Sequence, residues 1–262
     1  MSDKKDESLK LNLLGPTTEA AGKTLQDAWE LVFGGFGTYV EKKRLTRKKA
    51  LQDFKASLED KVNCIPEKHL CDPPLSIVGP ALEASKYYFE EDEIREMFAS
   101  VISASMDSRK ASQVHPAFPI IIQQMSTLDA QNLECFHKAD GLLPLCQYQL
   151  KKRDGKHDNF LEFLPTEVLQ TNVFLSNPQA SSRRQTATSI TSLSRLGLIE
   201  INYESNVIGA DYSAFEKVPM YRALLDEYKD DTQHFLYIQA GLAELTPLGK
   251  ALCSICFFSE NL

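Results

Sequence analysis

Carboxylates and a histidine in the middle of the chain are the residues whose types suit acid–base chemistry. Asp107 and His115 lie eight residues apart, and a fold-back of the segment between them would place a carboxylate beside an imidazole, a pair able to transfer a proton. Glu96 follows the acidic run at 90–93, whose oxygens suit a divalent cation. No nucleophile or further partner accompanies these residues. Structural roles are therefore favoured, and we expect no enzymatic activity, no metal and no cofactor.

The six cysteines give a second candidate for chemistry. Cys253 and Cys256 have the spacing of a metal-binding pair, but no second Cys or His pair lies at a suitable distance, which favours packing in the core. The cysteines also lack the dense spacing of a secreted disulfide scaffold. Residues 1–10 are polar and charged, without an apolar leader. We expect a reduced protein of the cytoplasm.

A basic amphipathic segment near the N terminus suggests contact with a partner. Apolar residues recur at helical spacing up to position 33, glycines at 34, 35 and 37 predict a turn, and six cations follow at 42–49. Such a segment can lie on an anionic membrane surface or contact a protein. The alternative is a helical hairpin packed on the protein. The candidate contact residues are Trp29, Phe33, Phe36, Lys42, Lys43, Arg44, Arg47, Lys48 and Lys49.

The elements that would position these residues are helical as far as about Met125. Four prolines at 66, 73, 74 and 80 predict an extended connector over 71–80, since proline disfavours helix at its own position and the one before it. A short helix is expected to begin at Pro80. The helix after Glu93 carries a wide apolar stripe, which predicts a core position.

From Ser126 the predicted order is helix, strand, helical segment over 160–174, helix, strand, strand, helix. Residues 180–196 form a helix that ends at Gly197 and passes directly into an apolar strand, the pattern of a tight helix-to-strand turn. The phrase Leu245-Thr246-Pro247-Leu248-Gly249 is its counterpart, a last strand that runs into a helix. Together the two phrases resemble those of winged-helix proteins.

The predicted fold class is mainly α (α+β). We expect an N-terminal tail and amphipathic helices over 1–60 and a central helical core over 61–125. A winged-helix-like module with a small antiparallel sheet is expected over 126–262, with a further helix at about 212–228.

A DNA-binding reading of this module would use the 180–196 helix in the major groove. The candidate contacts are Arg183, Arg184 and Gln185. Against this reading, residues 126–262 carry 12 cations and 17 anions, and the chain has a net charge of −7, whereas phosphate binding needs a local surplus of cations. A protein partner or self-association is favoured, and nucleic acid is less favoured.

Ordered phrases in the middle of the chain resemble the bacterial Abi-alpha (abortive infection alpha) family. The resemblance implies a role in abortive infection, in which an infected bacterium limits phage spread at its own expense, and it implies no catalytic residues. Glu96, Asp107 and His115 lie within the matching phrases. We expect a non-enzymatic defence protein that binds a protein or a membrane surface, in the cytoplasm or peripherally at the inner membrane. The alternative is a DNA-binding regulator. The phrases are Ile65-Pro66-Glu67, Pro73-Pro74, Gly79-Pro80-Ala81-Leu82-Glu83-Ala84, Glu93-Ile94-Arg95-Glu96-Met97-Phe98-Ala99, Ala104-Ser105-Met106-Asp107 and Val114-His115-Pro116-Ala117-Phe118.

Overall fold

The computed structural model describes Leu11 and residues 22–33, 43–153 and 165–257, with the backbone alone at 43–48 and at 165–166. The chain divides into two compact units: residues up to Ala130 together with those from Ala251 onward, and Gln131–Lys250. The predicted class is confirmed, because the chain is mainly helical and carries a small antiparallel sheet in its C-terminal part.

Helices make up the first unit. Single 3-10 turns lie at Glu67–His69 and Ala111–Gln113. The unit also contains the start of α6 (Thr127–Lys138) and the end of α9 (Pro247–Cys256). Its complete helices are α1 (Lys23–Phe33), α2 (Lys43–Asn63), α3 (Leu75–Ser85), α4 (Asp92–Ser105) and α5 (Phe118–Gln123).

Helix α4 is the centre of this unit and packs against α2, α3 and α5. The predicted core position is confirmed, since the apolar stripe of α4 is almost fully buried. Burial of each large apolar side chain contributes roughly 1.5–3 kcal/mol, so the stripe of α4 stabilises the unit substantially. The buried stripe consists of Ile94, Met97, Phe98, Val101 and Ile102.

Trp29 and Phe33 require a correction. Both are expected at a membrane or partner surface, but they are 1% and 0% exposed. The Trp29 ring lies 4.5 Å from the Phe33 ring and 5.8 Å from that of Phe54 on α2, and Phe33 also contacts Phe89. Side chains buried in an aromatic cluster cannot touch a membrane in this conformation. The alternative of helices packed on the protein is the one that these contacts support.

The proline-rich segment also differs from expectation. Helix α3 begins at Leu75, directly after Pro74, and continues through Pro80. Proline inside a helix removes one hydrogen bond, here the one to the Ser76 carbonyl. The helix tolerates this loss because its inward face, which includes Ala81 and Leu82, is fully buried.

The second unit is built on a four-stranded antiparallel sheet of order β2-β1-β4-β3. Strands β1 and β4 pair along their full lengths, and α7 packs against β2. A cluster around Tyr148 and Phe215 fills one side of the sheet. The elements are β1 (Leu142–Lys152), β2 (Pro165–Phe174), α7 (Arg183–Arg195), β3 (Ile199–Asn202), a 3-10 turn (Tyr212–Lys217), α8 (Pro219–Glu227) and β4 (His234–Leu245).

Three predicted elements of this unit are wrong. The helical segment expected over 160–174 is strand β2 where the structure describes it. The two last strands form one continuous strand, β4, which passes through Gly241. A Cβ at Gly241 would lie 2.6 Å from Cδ1 of Tyr203, so the absence of a side chain there leaves room for the Tyr203 ring. The helix expected over 212–228 is split before Pro219, which lacks the N–H needed to continue the preceding turn.

The two predicted N-terminal domains are not separate. The described residues of both ranges fall in one unit, because α2 packs along α4 and buries Phe54 and Leu58 completely. The end of α9 belongs to the same unit and not to the module predicted over 126–262.

The helix end at Gly197 and the segment Leu245–Gly249, both noted in the sequence, contact each other in the second unit. Gly197 has a φ of 72° and ends α7, with Leu198 N–H donating to the Leu193 carbonyl at 3.0 Å and Gly197 N–H to that of Ser194 at 2.9 Å, the bonds of a Schellman motif. Thr246 N–H donates to the Leu198 carbonyl at 3.0 Å, and the Thr246 hydroxyl accepts from Gly249 N–H at 3.0 Å. The helix-to-strand turn and the start of α9 are therefore bonded to each other.

Candidate functional site

A polar stripe interrupts the apolar surface of α4 on the side that faces α2. Glu96 and Ser100 lie one helical turn apart, and Ser103 and Asp107 continue the stripe at helical spacing. Glu96 joins the two helices, because its Oε2 accepts a hydrogen bond of 2.7 Å from the Ser57 hydroxyl and lies 3.4 Å from Lys61 Nζ.

Asp107 ends the stripe directly after α4 and is only 3% exposed. The Arg109 side chain binds its carboxylate in a bidentate manner, with Nε donating to Oδ1 at 2.8 Å and Nη2 donating to Oδ2 at 2.6 Å. Arg109 N–H adds a third bond, to Oδ1 at 3.0 Å. The hydrogen bonds from the Arg109 side chain lower the pKa of Asp107 below its ordinary value, because they favour the charged carboxylate.

The backbone around Asp107 is fixed as well. Cys71 N–H donates to the Met106 carbonyl at 2.9 Å, and Ser108 N–H donates to the His69 carbonyl at 2.8 Å. These bonds form a short bridge between Leu70 and Asp107. The connector after α2 is therefore tied to the end of α4, which supports Asp107 in a structural role.

A pocket of about 390 Å³ opens beside this stripe, within the first unit. Residues of α2, α4, the turn after α4 and the end of α9 line it, and they include charged, hydroxyl, thiol and apolar side chains. The lining residues are Asp60, Lys61, Cys64, Ile65, Ser100, Ser103, Ala104, Asp107, Arg109, Lys110 and Ile255.

His115 stands apart from this arrangement. Its Nδ1 accepts a hydrogen bond of 3.1 Å from Ala117 N–H, and its ring lies 5.9 Å from that of Phe118. In the part of the chain that the structure describes, no contact joins His115 to Glu96 or to Asp107. The acid–base pair considered in the sequence is not formed.

The candidate DNA contacts lie at the start of α7. Ser182 caps this helix, its hydroxyl accepting from Gln185 N–H at 3.4 Å. Arg184 and Gln185 are exposed. Arg183 is half-buried, and its Nη1 donates to the Phe174 carbonyl at the end of β2 at 3.5 Å. Only two of the three predicted contacts are therefore fully open to a partner.

The basic segment is only partly described. Lys49 is exposed on α2. Phe36 and Lys42 lie outside the described residues, as do the side chains of Lys43, Arg44, Arg47 and Lys48. Over the described ranges, no helix is long and apolar enough to cross a bilayer.

The described residues offer little support for a metal site or for a reactive thiol at Cys253 or Cys256. No group of three or more His, Cys, Asp or Glu residues suited to a metal ion occurs within residues 22–33, 43–153 and 165–257. Cys253 is 1% exposed, and Cys256 Sγ lies 3.9 Å from the Met97 carbonyl. Burial raises the pKa of Cys253 to about 12, so its thiol stays protonated and unreactive near neutral pH.

Sequence reasoning missed the residues that hold and surround the two carboxylates, notably Lys61, Ser100 and Arg109. A usable signal was present: polar residues recur at helical spacing on α4, whose other face is apolar. Arg109 lies two residues from Asp107 in the segment after the helix. Its pairing depends on a turn whose geometry no spacing rule gives.

Comparisons with known proteins give one match. The family model described as Abortive infection alpha matches residues 46–256, a range that includes Glu96, Asp107 and His115. Searches of the curated proteins and of the solved structures find no match.

Proposed function

This chain belongs to the abortive infection alpha family, and we propose that it acts in defence against phage by binding a protein partner or a second copy of itself, without catalysing a reaction. The family suggests the defence role. One observation carries the rest of the proposal: Glu96, Asp107 and His115, three polar residues of the family phrases, form separate contacts in the fold and do not converge on one cleft.

Asp107 and His115 each form contacts that oppose a role as general base. A general base must reach its substrate within hydrogen-bond distance and have a pKa near the working pH. Both carboxylate oxygens of Asp107 are bonded to Arg109, and its pKa is lowered and not raised. His115 Nδ1 already accepts from the backbone.

A pair of substitutions at His115 tests the absence of catalysis. Asparagine can place its side-chain oxygen where Nδ1 accepts from Ala117, whereas alanine removes the acceptor. We expect cells that carry His115→Asn to keep phage protection, and His115→Ala to lose protection only as far as its melting temperature falls. A His115→Asn protein with the wild-type melting temperature and no protection would contradict a purely structural role, and its retained or lost partner binding would then separate chemistry from recognition.

The second unit is the proposed recognition module, and we assign it a winged-helix-like arrangement. Helix α7 passes through Gly197 into β3, which pairs with β4 in an antiparallel hairpin. In this assignment residues 203–233 form an enlarged wing that contains the 3-10 turn and α8.

DNA binding is the second candidate function, because Arg184 and Gln185 are exposed at the start of α7. The enlarged wing argues against it: residues 203–233 hold seven acids and three bases, and like charge repels phosphate. We expect no binding of a duplex oligonucleotide at low salt. Binding that weakens with salt and is lost in Arg184→Ala, but kept in Lys250→Ala, would favour the DNA reading instead.

Location belongs to the same proposal. We place the protein in the cytoplasm and assign contact with the inner membrane to the basic residues at 42–49, since Trp29 and Phe33 are buried. Flotation of the full chain with anionic liposomes, compared with a variant carrying glutamine at the six cationic positions 42–44 and 47–49, measures this contact. Equal flotation of the two proteins would remove the membrane from the proposal.

A further inference from the structure

Two polar side chains of β1, in the second unit, are buried without the partner that each requires. Gln149 and Lys151 are 3% and 7% exposed, and they lie two residues apart on the strand. We propose that they bind a small organic anion, whose carboxylate or phosphate group contacts the Lys151 ammonium and whose N–H or O–H group donates to Gln149. This ligand site is independent of the partner proposed above.

Both side chains lie on one face of the sheet. Side chains alternate between the two faces along a strand, so Gln149 and Lys151 share a face, and the cluster around Tyr148 fills the other. Pairing with β4 places Tyr237 opposite Gln149 and Phe235 opposite Lys151. Residues two apart on a strand are separated by roughly 7 Å. A ligand that reaches both side chains therefore carries its anion and its donor group close together.

Lys151 lacks a counter-charge. Its Nζ lies 3.5 Å from the centre of the Tyr237 ring, and it forms no ion pair with any residue that the structure describes. Burial lowers the pKa of Lys151 below its ordinary value, because the ammonium loses its hydration. An aromatic face attracts a cation, but it accepts no charge-assisted hydrogen bond of the kind that a carboxylate or phosphate accepts. An anion is therefore the partner that Lys151 lacks.

The charges around Lys151 also favour an anion. Arg153 follows on the strand's continuation, with its guanidinium 5.9 Å from the centre of the Phe235 ring, and its Nε donates to the His234 carbonyl at 3.0 Å. Asp231, the acid before β4, is held by His234 instead, whose ring Nδ1 lies 2.9 Å from Oδ2 and whose N–H donates to Oδ1 at 2.9 Å. Among the described residues, neither Lys151 nor Arg153 has a carboxylate within ion-pair distance.

Gln149 supplies the independent observation. Its Oε1 is fully buried and has no hydrogen-bond donor among the described residues. Gln239, a glutamine of the adjacent strand β4, shows the ordinary situation, since its Nε2 donates to the Tyr203 carbonyl at 2.9 Å. A buried acceptor without a donor is destabilising, and an N–H or O–H group of the ligand would remove that cost.

The stability of the ligand-free protein gives the first test. A buried charge without a counter-charge does not stabilise a fold, so Lys151→Met should have a melting temperature equal to or above that of the wild type. Lys152→Met is the matched control, because Lys152 is the next residue on β1 and is exposed. A melting temperature lower in Lys151→Met than in Lys152→Met would mean that the ammonium already stabilises the empty protein, and would overturn the proposal.

Titration of the purified full chain with three probes, followed by nuclear magnetic resonance, tests the ligand class. N-acetylglycine carries a carboxylate beside an N–H group, glycerol phosphate carries a phosphate beside O–H groups, and N-acetylglycinamide carries no charge. We expect one or both anions to bind, and the uncharged probe to bind at least tenfold more weakly. The anion that binds more tightly identifies the recognised group as carboxylate or phosphate. Binding by neither anion would overturn the proposal.

Substitutions locate the binding. Lys151→Met should weaken it at least tenfold, and Gln149→Leu about threefold or more, the ratios that correspond to a charged and a neutral hydrogen bond. Lys152→Met should bind as the wild type does. Binding in Lys151→Met as tight as in Lys152→Met would contradict the site. Partner binding and phage protection are separate readouts, so the failure of this proposal is distinguishable from the failure of the proposed function.

Discussion

The carboxylate of Asp107 shows how a residue type that suits catalysis can serve structure instead. A buried charge is stable only when it is paired and hydrogen-bonded, and Arg109 supplies both the charge and the bonds. The sequence shows the two residues close together, but the turn that aligns them depends on the bridge to Leu70. Such a contact between distant segments is not readable from local spacing.

Acid should weaken the first unit through Asp107. Because its folded pKa lies below the ordinary value, the carboxylate contributes stability above the unfolded pKa, and this contribution is lost as the pH falls through the folded pKa. Asp107→Asn should lower the free energy of unfolding at pH 7 by about 1–3 kcal/mol. The free energy of unfolding of this variant should also fall less steeply than that of the wild type as the pH is lowered. Fluorescence of Trp29, the single tryptophan of the chain, reports the unfolding. Parallel acid curves for the two proteins would contradict this role.

Gly249 provides a residue-scale test of the bonded phrases. A Cβ at this position would lie 2.0 Å from the Leu198 carbonyl oxygen, so Gly249→Ala requires a backbone shift and should cost about 1–3 kcal/mol. Gly79→Ala is the control, since its Cβ would meet only Leu75 Cδ1 at 3.7 Å in a helix that favours alanine. Thermal unfolding followed by circular dichroism should show a lower melting temperature for the first variant and an unchanged or higher one for the second. The reverse order would contradict the close approach.

At the scale of the elements, apolar periodicity predicted where the helices lie in the sequence better than it predicted what their apolar faces contact. The stripe of α1 was visible in the sequence, but an amphipathic helix on a membrane and one on a core bury the same kind of face. The sequence analysis also took proline and glycine too strictly as ends of helices and strands, since α3 passes through Pro80 and β4 passes through Gly241. Tertiary burial offsets both local preferences, and burial by distant segments is not visible in a single sequence.

Phe33 distinguishes the two possibilities for α1. Phe33→Ala should destabilise the first unit by about 3–5 kcal/mol, because the ring is fully buried between Trp29 and Phe89. Leu31→Ala on the same helix, where the side chain is 85% exposed, should change stability by less than about 0.5 kcal/mol. Denaturant unfolding measures both. A stable Phe33→Ala protein that no longer floats with liposomes would restore the membrane-facing orientation.

At the scale of the whole molecule, charge and family membership limit the function together. The net charge of −7 and the acidic segment at 203–233 oppose nucleic-acid binding, and the family match runs through both units. The sequence thus supported the fold class and the defence role. The pocket was not predictable, since helices α2, α4 and α9 bring together its lining from positions as far apart as Asp60 and Ile255.

Phage plating on cells that carry Glu96→Gln tests the central claim, that Glu96, Asp107 and His115 stabilise the fold and do not catalyse. Glutamine keeps an oxygen that can accept the Ser57 hydrogen bond and removes the ionisable carboxyl group that an acid, a base or a carboxylate metal ligand requires. We predict that the variant, once Trp29 fluorescence confirms that the first unit is folded, protects cells as the wild type does. A folded Glu96→Gln protein that gives no protection would contradict the account.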